Sequence, residues 1–300
     1  EAQSIGDSVN AWRVSPTVSP THFMLRFRRF EHTWKAAETL RARGIESNIQ
    51  FKRRVLIQQI PPEFLPDGFP SPSDPLLPEQ WHLINMGQGI GTVGVDANVT
   101  PAWARGYTGE GVTIAVADNG VDTGHPDLDD NALPVFDASG APWHRSFGSD
   151  EPDPSVGLPF GVSHGTEVAG VSAAEQDNGQ GGSGAAPDAN LIAIRFESAG
   201  PALFIDDEVA AETFTWRLDR VDVHNNSWGS GGFDPAIEPL TAAALEQDAS
   251  EGGNGRGLII VKAGGNSGGN VAFETDNLNV ATDEGINSSR YTIAVGGFGN

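Results

Sequence analysis

The segment 162–170 reads Val162-Ser163-His164-Gly165-Thr166-Glu167-Val168-Ala169-Gly170, with a histidine at the head of an apolar run that is compatible with a helix. His164 is a candidate proton shuttle because imidazole titrates near neutral pH. Gly165 would let another backbone or a bound molecule come close to it. The apolar positions that could bury the helix are Val168, Ala169, Val171 and Ala173. The alternative is a histidine that only caps a core helix.

Strands and helices alternate on both sides of this segment. The run 112–117 is almost continuously apolar and is followed by Asp118, as is typical of strands buried on both faces of a parallel sheet. Further strands are predicted at 191–194, 221–223, 258–261 and 291–295, and helices at 166–174, 206–218 and 236–249. This alternation predicts an α/β fold with a doubly wound, mostly parallel sheet.

Polar residues follow several of the predicted strands. Asp118 ends the first strand, Ser227-Trp228-Gly229 follows the strand at 221–223, and Asn266 follows the strand at 258–261. Because functional groups gather at the carboxyl ends of strands in such sheets, we expect these residues to lie near His164. The Asn266 amide could stabilise an oxyanion that develops during a reaction. The alternative for Asp118 and Asn266 is an ordinary turn position beside glycine.

Composition narrows the function classes. The 300 residues contain 40 Asp and Glu against 18 Lys and Arg, a net charge of −22. This charge repels phosphate backbones, so no nucleic-acid partner is expected, and it suits divalent cations. The chain has no cysteine, which excludes disulfides and thiolate metal sites. No run of 18 apolar residues is present, so no membrane span is predicted.

The chain divides by composition into three parts. Residues 1–60 form a small basic α+β unit, with a strand predicted at 22–27 and a helix at 31–43. Residues 61–78 hold seven prolines and are predicted to be an extended linker. Residues 79–300 form the main domain. The first residue is Glu1 and the chain stops soon after the last predicted strand, so we expect a processed start and a C-terminal truncation.

The motifs resemble those of the subtilisin-like serine proteases (peptidase family S8), and more narrowly those of the kexin and proprotein-convertase branch. The resemblance covers about residues 73–300. The family-level motifs are Asp118-Asn119-Gly120-Val121-Asp122, His125-Pro126-Asp127-Leu128, His164-Gly165-Thr166, Ser227-Trp228-Gly229 and Ala263-Gly264-Gly265-Asn266. The branch-level marks are Asp74-Pro75, Gln80-Trp81-His82-Leu83 and Asn287-Ser288.

The resemblance implies a secreted or extracytoplasmic serine endopeptidase. Asp118 would orient His164, which would act first as general base and then as general acid. Asn266 would supply the oxyanion-hole amide. The residues implied for substrate binding are Ser227, Trp228, Gly229 and Asp283.

One departure from the family concerns the nucleophile. The family's serine lies in a Gly-Thr-Ser segment well after the oxyanion Asn, and no such segment occurs between Asn266 and Asn300. The serines there are Ser267, Ser288 and Ser289. We therefore expect this polypeptide alone not to hydrolyse peptides. The alternative is a non-catalytic subtilase-like domain with a binding or structural role.

The resemblance also implies calcium dependence, and oxygen ligands suit that ion. The implied site combines the Asp74, Asp127 and Asn178 side chains with backbone carbonyls near three further residues. Those residues are Glu175, Gln180 and Gly182. The loop acids Asp150, Glu151 and Asp153 could hold a second ion or form a solvated acidic loop.

The expected partners are a peptide or protein substrate and the chain's own prodomain, whose place the N-terminal unit occupies; a monomer is expected. Asp283 matches a position that favours basic residues in convertase substrates. The segment 230–233, however, lacks the acids that the family often has there. Strict dibasic cleavage is therefore in doubt, while a preference for Arg or Lys stays open.

Overall fold

The structure is a computed structural model that divides into two compact units, Glu1–Leu56 and Ile57–Asn300. It describes residues 13–16, 23–26, 36, 39–40, 43, 60–67, 72–88, 91–147, 152–155, 164–199, 202–229, 236–265 and 285–296.

The first unit contains an antiparallel strand pair. Strand β1 (Arg13–Pro16) pairs with β2 (Phe23–Arg26), so that Arg13 lies opposite Arg26. The strand predicted at 22–27 is confirmed by β2, whereas β1 falls in a stretch where no element was predicted. Ala36 and Leu40 are helical and buried, within the range predicted as a helix.

The second unit is built on a six-stranded sheet in which every neighbouring pair is parallel. The strands are β3 (Thr113–Asp118), β4 (Arg145–Ser146), β5 (Asn190–Arg195), β8 (Val223–Asn226), β9 (Ile259–Ala263) and β10 (Thr292–Val295). Their spatial order is β10-β9-β8-β3-β5-β4. A separate hairpin joins β6 (Glu197–Ala199) to β7 (Ala202–Phe204). The chain leaves β3 toward β5 on one side and later returns to β8 on the other, so the strand order reverses beside β3. Such a reversal opens a crevice at the carboxyl ends of the strands.

Helices cover the two faces of this sheet. The bounds are α1 (Thr100–Trp103), α2 (His164–Ala173), α3 (Asp207–Thr215) and α4 (Pro239–Gly255), with 3-10 turns at Pro62–Phe64, Leu77–Glu79 and Ile286–Ser288. Alternate residues of β3 point to opposite faces, so Val116 packs with Ala169 of α2 while Ala117 packs in a second cluster around Phe196. Leu245 of α4 packs with Phe214 and Ile260. The predicted doubly wound, mostly parallel α/β fold is confirmed.

The proline-rich segment differs from its prediction as an extended linker. Leu77 is completely buried and packs with Ile60, Leu83 and Trp103. Proline restricts the backbone but does not prevent the apolar residues beside it from being buried. Leu77, together with the partly buried Phe64 and Leu65, therefore belongs to the core of the second unit.

In the part of the chain that the structure describes, no helix combines the length and apolar character needed to cross a bilayer.

Candidate active site

Asp118 and His164 meet at the carboxyl edge of the sheet. Asp118 is the last residue of β3 and His164 is the first residue of α2. The Nδ1 atom of His164 lies 2.8 Å and 2.9 Å from the two carboxylate oxygens of Asp118. Because a carboxylate only accepts hydrogen bonds, Nδ1 donates and the Nε2 atom is left as the basic nitrogen. The His164 side chain is 55% exposed, so the ring can reach a molecule in the crevice.

The Asp118 carboxylate is buried beneath this ring. Burial raises the pKa of Asp118, while hydrogen bonds from the His164 ring and from the backbone amide of Asn119 lower it in part. A buried carboxylate with these donors has one orientation, and it fixes the tautomer and the plane of the imidazole.

Asn119 links the end of β3 to the start of α2. Its amide N–H donates to Asp118 over 2.8 Å, and its side-chain Oδ1 accepts from the N–H of Gly165 over 3.0 Å. The first amides of a helix lack intrahelical partners, so Asn119 acts as a cap supplied from another element. Thr166 adds a second link, because its hydroxyl accepts from the Asp122 N–H over 2.9 Å.

Gly165 is required by close packing at this junction. A Cβ atom at position 165 would lie 2.2 Å from the Gly120 carbonyl oxygen and 2.9 Å from the Asp118 Cβ. No real side chain tolerates the first distance, so the close approach predicted for Gly165 is confirmed. Ala169 and Ala173 are buried as predicted, but Val171 is 52% exposed. That prediction was wrong because Val171 lies on the face of α2 that points away from the sheet.

Ser227-Trp228-Gly229 follows β8 directly and lies at the same edge of the sheet. The Trp228 ring turns into the core, where it packs against Phe196 at 5.5 Å between ring centroids. The backbone of this segment, and not the indole ring, is therefore the part that can meet a ligand. Gly229 is exposed and Ser227 is partly exposed.

The residues predicted as calcium ligands also come together. Asn178 Nδ2 lies 3.1 Å from Asp127 Oδ1 and 3.3 Å from Glu175 Oε2. The Asp127 Oδ2 atom accepts from the Gly182 N–H over 3.0 Å, and Gln180 Nε2 lies 3.2 Å from the Pro126 carbonyl. The loop 175–182 thus wraps the Asp127 carboxylate.

Asp74 joins this group from the opposite side of the loop. It is 2% exposed and accepts from the N–H groups of Asp177 and Gly179. Burial raises the pKa of Asp74, hydrogen bonds from these two amides lower it, and the nearby carboxylates of Asp177 and Asp127 raise it further. Asp177 was not among the predicted ligands. Its position between Gln176 and Asn178 in the predicted loop was the available signal.

A family profile described as the Peptidase S8 subtilase family matches residues 109–300. The chain belongs to the subtilase family. Within that family it is similar to the kexin and proprotein-convertase branch, as its motifs predicted.

Two curated relatives illustrate the similarity of this subtilase. A PC3-like endoprotease from Hydra vulgaris is 32% identical over 265 residues, which cover 86% of this chain and 34% of the relative. Human neuroendocrine convertase 2 is 34% identical over 226 residues, which cover 74% of this chain and 33% of the relative. The subtilase chain therefore spans about a third of the length of these relatives.

Solved structures share the fold of this subtilase. The serine protease of Aeromonas sobria matches with a TM-score of 0.54 and 25% identity, covering 84% of this chain and 42% of that protein. Its complex with a chaperone matches with a TM-score of 0.52 and 28% identity, covering 65% of this chain and 32% of the protease chain.

Several predicted site residues of the subtilase lie outside the described residues: Asn266, Asp283, Asp150 and Glu151. Asp153, the third acid of the second predicted ion site, accepts hydrogen bonds from the Ser155 amide and hydroxyl. Asn119 is the functional neighbour to which sequence reasoning gave no role. Its capping of α2 depends on contact between residues 46 positions apart.

Proposed function

We propose that this subtilase is a serine endopeptidase in which Asp118 and His164 form two members of the catalytic triad. The supporting observation is the hydrogen-bonded pair of a buried carboxylate and an exposed imidazole at the crevice. His164 Nε2 would remove the proton from a serine hydroxyl as it attacks the peptide carbonyl, and would then protonate the leaving amine. Asp118 stabilises the imidazolium that forms between these steps.

We propose that the nucleophilic serine is not one of the three serines after Asn266. Ser289 accepts a hydrogen bond from the Tyr291 N–H in the turn before β10, which is a structural role. On the α2 side of the sheet, the large apolar side chains of Ile259, Ile293 and Val295 are each half exposed. A segment that brings the serine would gain apolar contact on this face. The 300-residue polypeptide alone would then not hydrolyse peptides.

The oxyanion hole and the substrate site extend the same proposal. Asn266 comes three residues after the carboxyl end of β9, and Asp118 stands at the carboxyl end of β3 in the same sheet. Its amide would donate to the oxyanion of the tetrahedral intermediate. An extended peptide would pair with the backbone of Ser227–Gly229, and Asp283 would favour a basic residue before the cleaved bond.

Calcium is the proposed stabilising ion. The donor set fits it: Asp74 and Asp127 are buried carboxylates, and no described basic side chain forms an ion pair with either of them. The Asn178 oxygen would join them after the side-chain amide turns over, because its Nδ2 atom now faces Asp127 and Glu175. The carbonyls near Glu175, Gln180 and Gly182 would complete the site. Among the described residues, no group of three or more His, Asp or Glu is arranged to hold a metal, so amide and backbone oxygens are needed. When bound, the ion would supply positive charge that holds the loop after α2 in place.

The proposed biological setting follows from the branch. We propose an extracytoplasmic protease whose N-terminal unit acts as an intramolecular prodomain and which works as a monomer on peptide or protein substrates. The solved protease–chaperone complex of Aeromonas sobria is a neighbour in which a second protein accompanies the protease. The alternative is a subtilase-like domain that binds but does not cleave; the intact Asp118–His164 pair favours the enzyme.

Peptide hydrolysis by the full natural polypeptide that contains these residues tests the proposal. His164→Ala should abolish cleavage, while Val171→Ala, exposed on the same helix, should leave it within about twofold. Equal activity of the wild type and His164→Ala would refute the triad. Absence of cleavage by a folded, mature wild type would favour the binding domain.

A further inference from the structure

A buried lysine lies directly beneath the Ser227–Gly229 segment. Lys262 in β9 is completely buried, and its ammonium group donates to the carbonyl oxygen of Trp228. The same ammonium lies 4.5 Å from the centroid of the Trp228 ring. Burial of an ammonium group costs free energy unless nearby groups bind it, so these contacts with Trp228 hold the Lys262 side chain in place. The hydrogen bond in turn fixes the position of the Trp228 carbonyl.

The hydrogen bonds continue from Trp228 into the core. The Trp228 indole N–H donates to Asn226 Oδ1 over 3.1 Å. The Asn226 Nδ2 group then donates to His224 Nδ1 over 3.0 Å, and His224 Nε2 donates to the Thr213 carbonyl over 2.9 Å. We call the series Lys262, Trp228, Asn226, His224 and Thr213 the Lys262 chain.

Every donor in the Lys262 chain points the same way. The Thr213 carbonyl can only accept and the Trp228 indole can only donate, so these two groups fix the His224 tautomer and the Asn226 amide orientation between them. This arrangement requires a neutral imidazole, and burial lowers the pKa of His224 to about 4. Asn226 Nδ2 also donates to the Val261 carbonyl of β9 over 3.2 Å. Each hydrogen bond of the Lys262 chain therefore joins one donor to one acceptor.

These contacts hold Trp228 in place and so orient the backbone of Ser227 and Gly229 on either side of it. Its indole is held by Asn226, its carbonyl is held by Lys262, and its ring packs on Phe196. In an extended segment successive carbonyls point to opposite sides. With the Trp228 carbonyl turned toward Lys262 of β9, we expect the backbone groups of Ser227 and Gly229 to face the other side. In the described part of the chain, these two residues make no backbone–backbone hydrogen bond.

We propose that Lys262 is a positioning residue for extended peptide substrates. It acts through Trp228: it holds the segment so that Ser227 and Gly229 present free backbone groups for pairing with a peptide. Lys262 itself touches no substrate. This inference rests on the proposed function, because it assumes that Ser227–Gly229 is the peptide-pairing segment.

The test compares long and short substrates in the full natural polypeptide. A pool of fluorogenic hexapeptide amides that differ in their last residue identifies the best-cleaved sequence. The same sequence shortened to its last two residues serves as the short substrate. Lys262→Met removes the ammonium group and keeps the side-chain length. It should raise KM for the hexapeptide by roughly tenfold, about the loss expected for one or two hydrogen bonds, and leave kcat/KM for the truncation within about twofold.

Two controls keep the outcomes separate. Trp228→Phe removes the hydrogen bond to Asn226 but keeps an aromatic ring. It should raise KM for the hexapeptide by a smaller factor than Lys262→Met does. If Lys262→Met fails to fold, Trp228→Phe is the variant that tests the inference. An equal loss on both substrates, or no loss on the hexapeptide, overturns the positioning role while the protease stands. A wild type that cleaves no member of the pool overturns the proposed function and, with it, this inference.

Discussion

The most quantitative prediction concerns Asp248 in α4. Its side chain is completely buried, and among the residues that the structure describes neither carboxylate oxygen has a hydrogen-bond partner. Burial raises the pKa of Asp248 from 3.8 to about 8. The folded protein therefore holds this proton more tightly than the unfolded chain does. The stabilisation by the proton is complete below about pH 4 and is lost as the pH rises to about 8.

The size of the effect follows from linkage. Each pH unit between these limits lowers the free energy of unfolding by about 1.4 kcal/mol, so roughly 4 kcal/mol is lost between pH 4 and pH 7. Asp248→Asn keeps the shape of the side chain and removes the ionisation. The stability difference between Asp248→Asn and wild type should therefore grow in favour of the variant by about 1.4 kcal/mol per pH unit from pH 5 to pH 7.

Urea unfolding followed by tryptophan fluorescence at pH 5, 6 and 7 measures this difference. Glu246→Gln is the matched control, because Glu246 is exposed on the same helix. Its difference from the wild type gives the reference slope with which the slope of Asp248→Asn is compared. A pH-independent difference for Asp248→Asn would refute the argument, since it would mean that the buried carboxyl is charged or has a partner.

Three further predictions concern the site. Gly165→Ala should lower the free energy of unfolding by about 1–3 kcal/mol, because its Cβ would meet the Gly120 carbonyl, whereas Gly170→Ala in the same helix has open space and should not destabilise. Calorimetry measures both variants, and equal stabilities of the two would contradict the close packing at Gly165. Asp118→Asn should reduce kcat of the full natural polypeptide by roughly four orders of magnitude, because the amide cannot hold the tautomer; a loss under about tenfold would contradict its role. Chelation of calcium should lower the thermal midpoint of the wild type but not of Asp127→Asn, and an unchanged wild-type midpoint would argue against the ion site.

The sheet was predictable because its strands carry strong local patterns. The apolar run ending at Asp118 and the strand at 191–194 are β3 and β5 to within one or two residues. His164 was identified for the same reason, since a histidine beside glycine at the head of an apolar helix is an unusual local arrangement.

Other features depend on contacts between distant residues and leave no local signal. The Trp228 ring turns inward because Phe196 and Phe214 form an aromatic pocket. The Lys262 chain needs three elements to meet, and a lysine within an apolar strand gives no hint of its partner. Leu77 is buried because Trp103 and Leu83 surround it, which the prolines beside it could not indicate.

Labelling with a fluorophosphonate probe, followed by peptide mapping, tests the central claim most directly. In the full natural polypeptide, the proposal predicts one labelled serine that lies outside residues 1–300 and loses its label in His164→Ala. The 300-residue polypeptide alone should stay unlabelled. A labelled residue within 1–300, or labelling that persists without His164, would contradict the account.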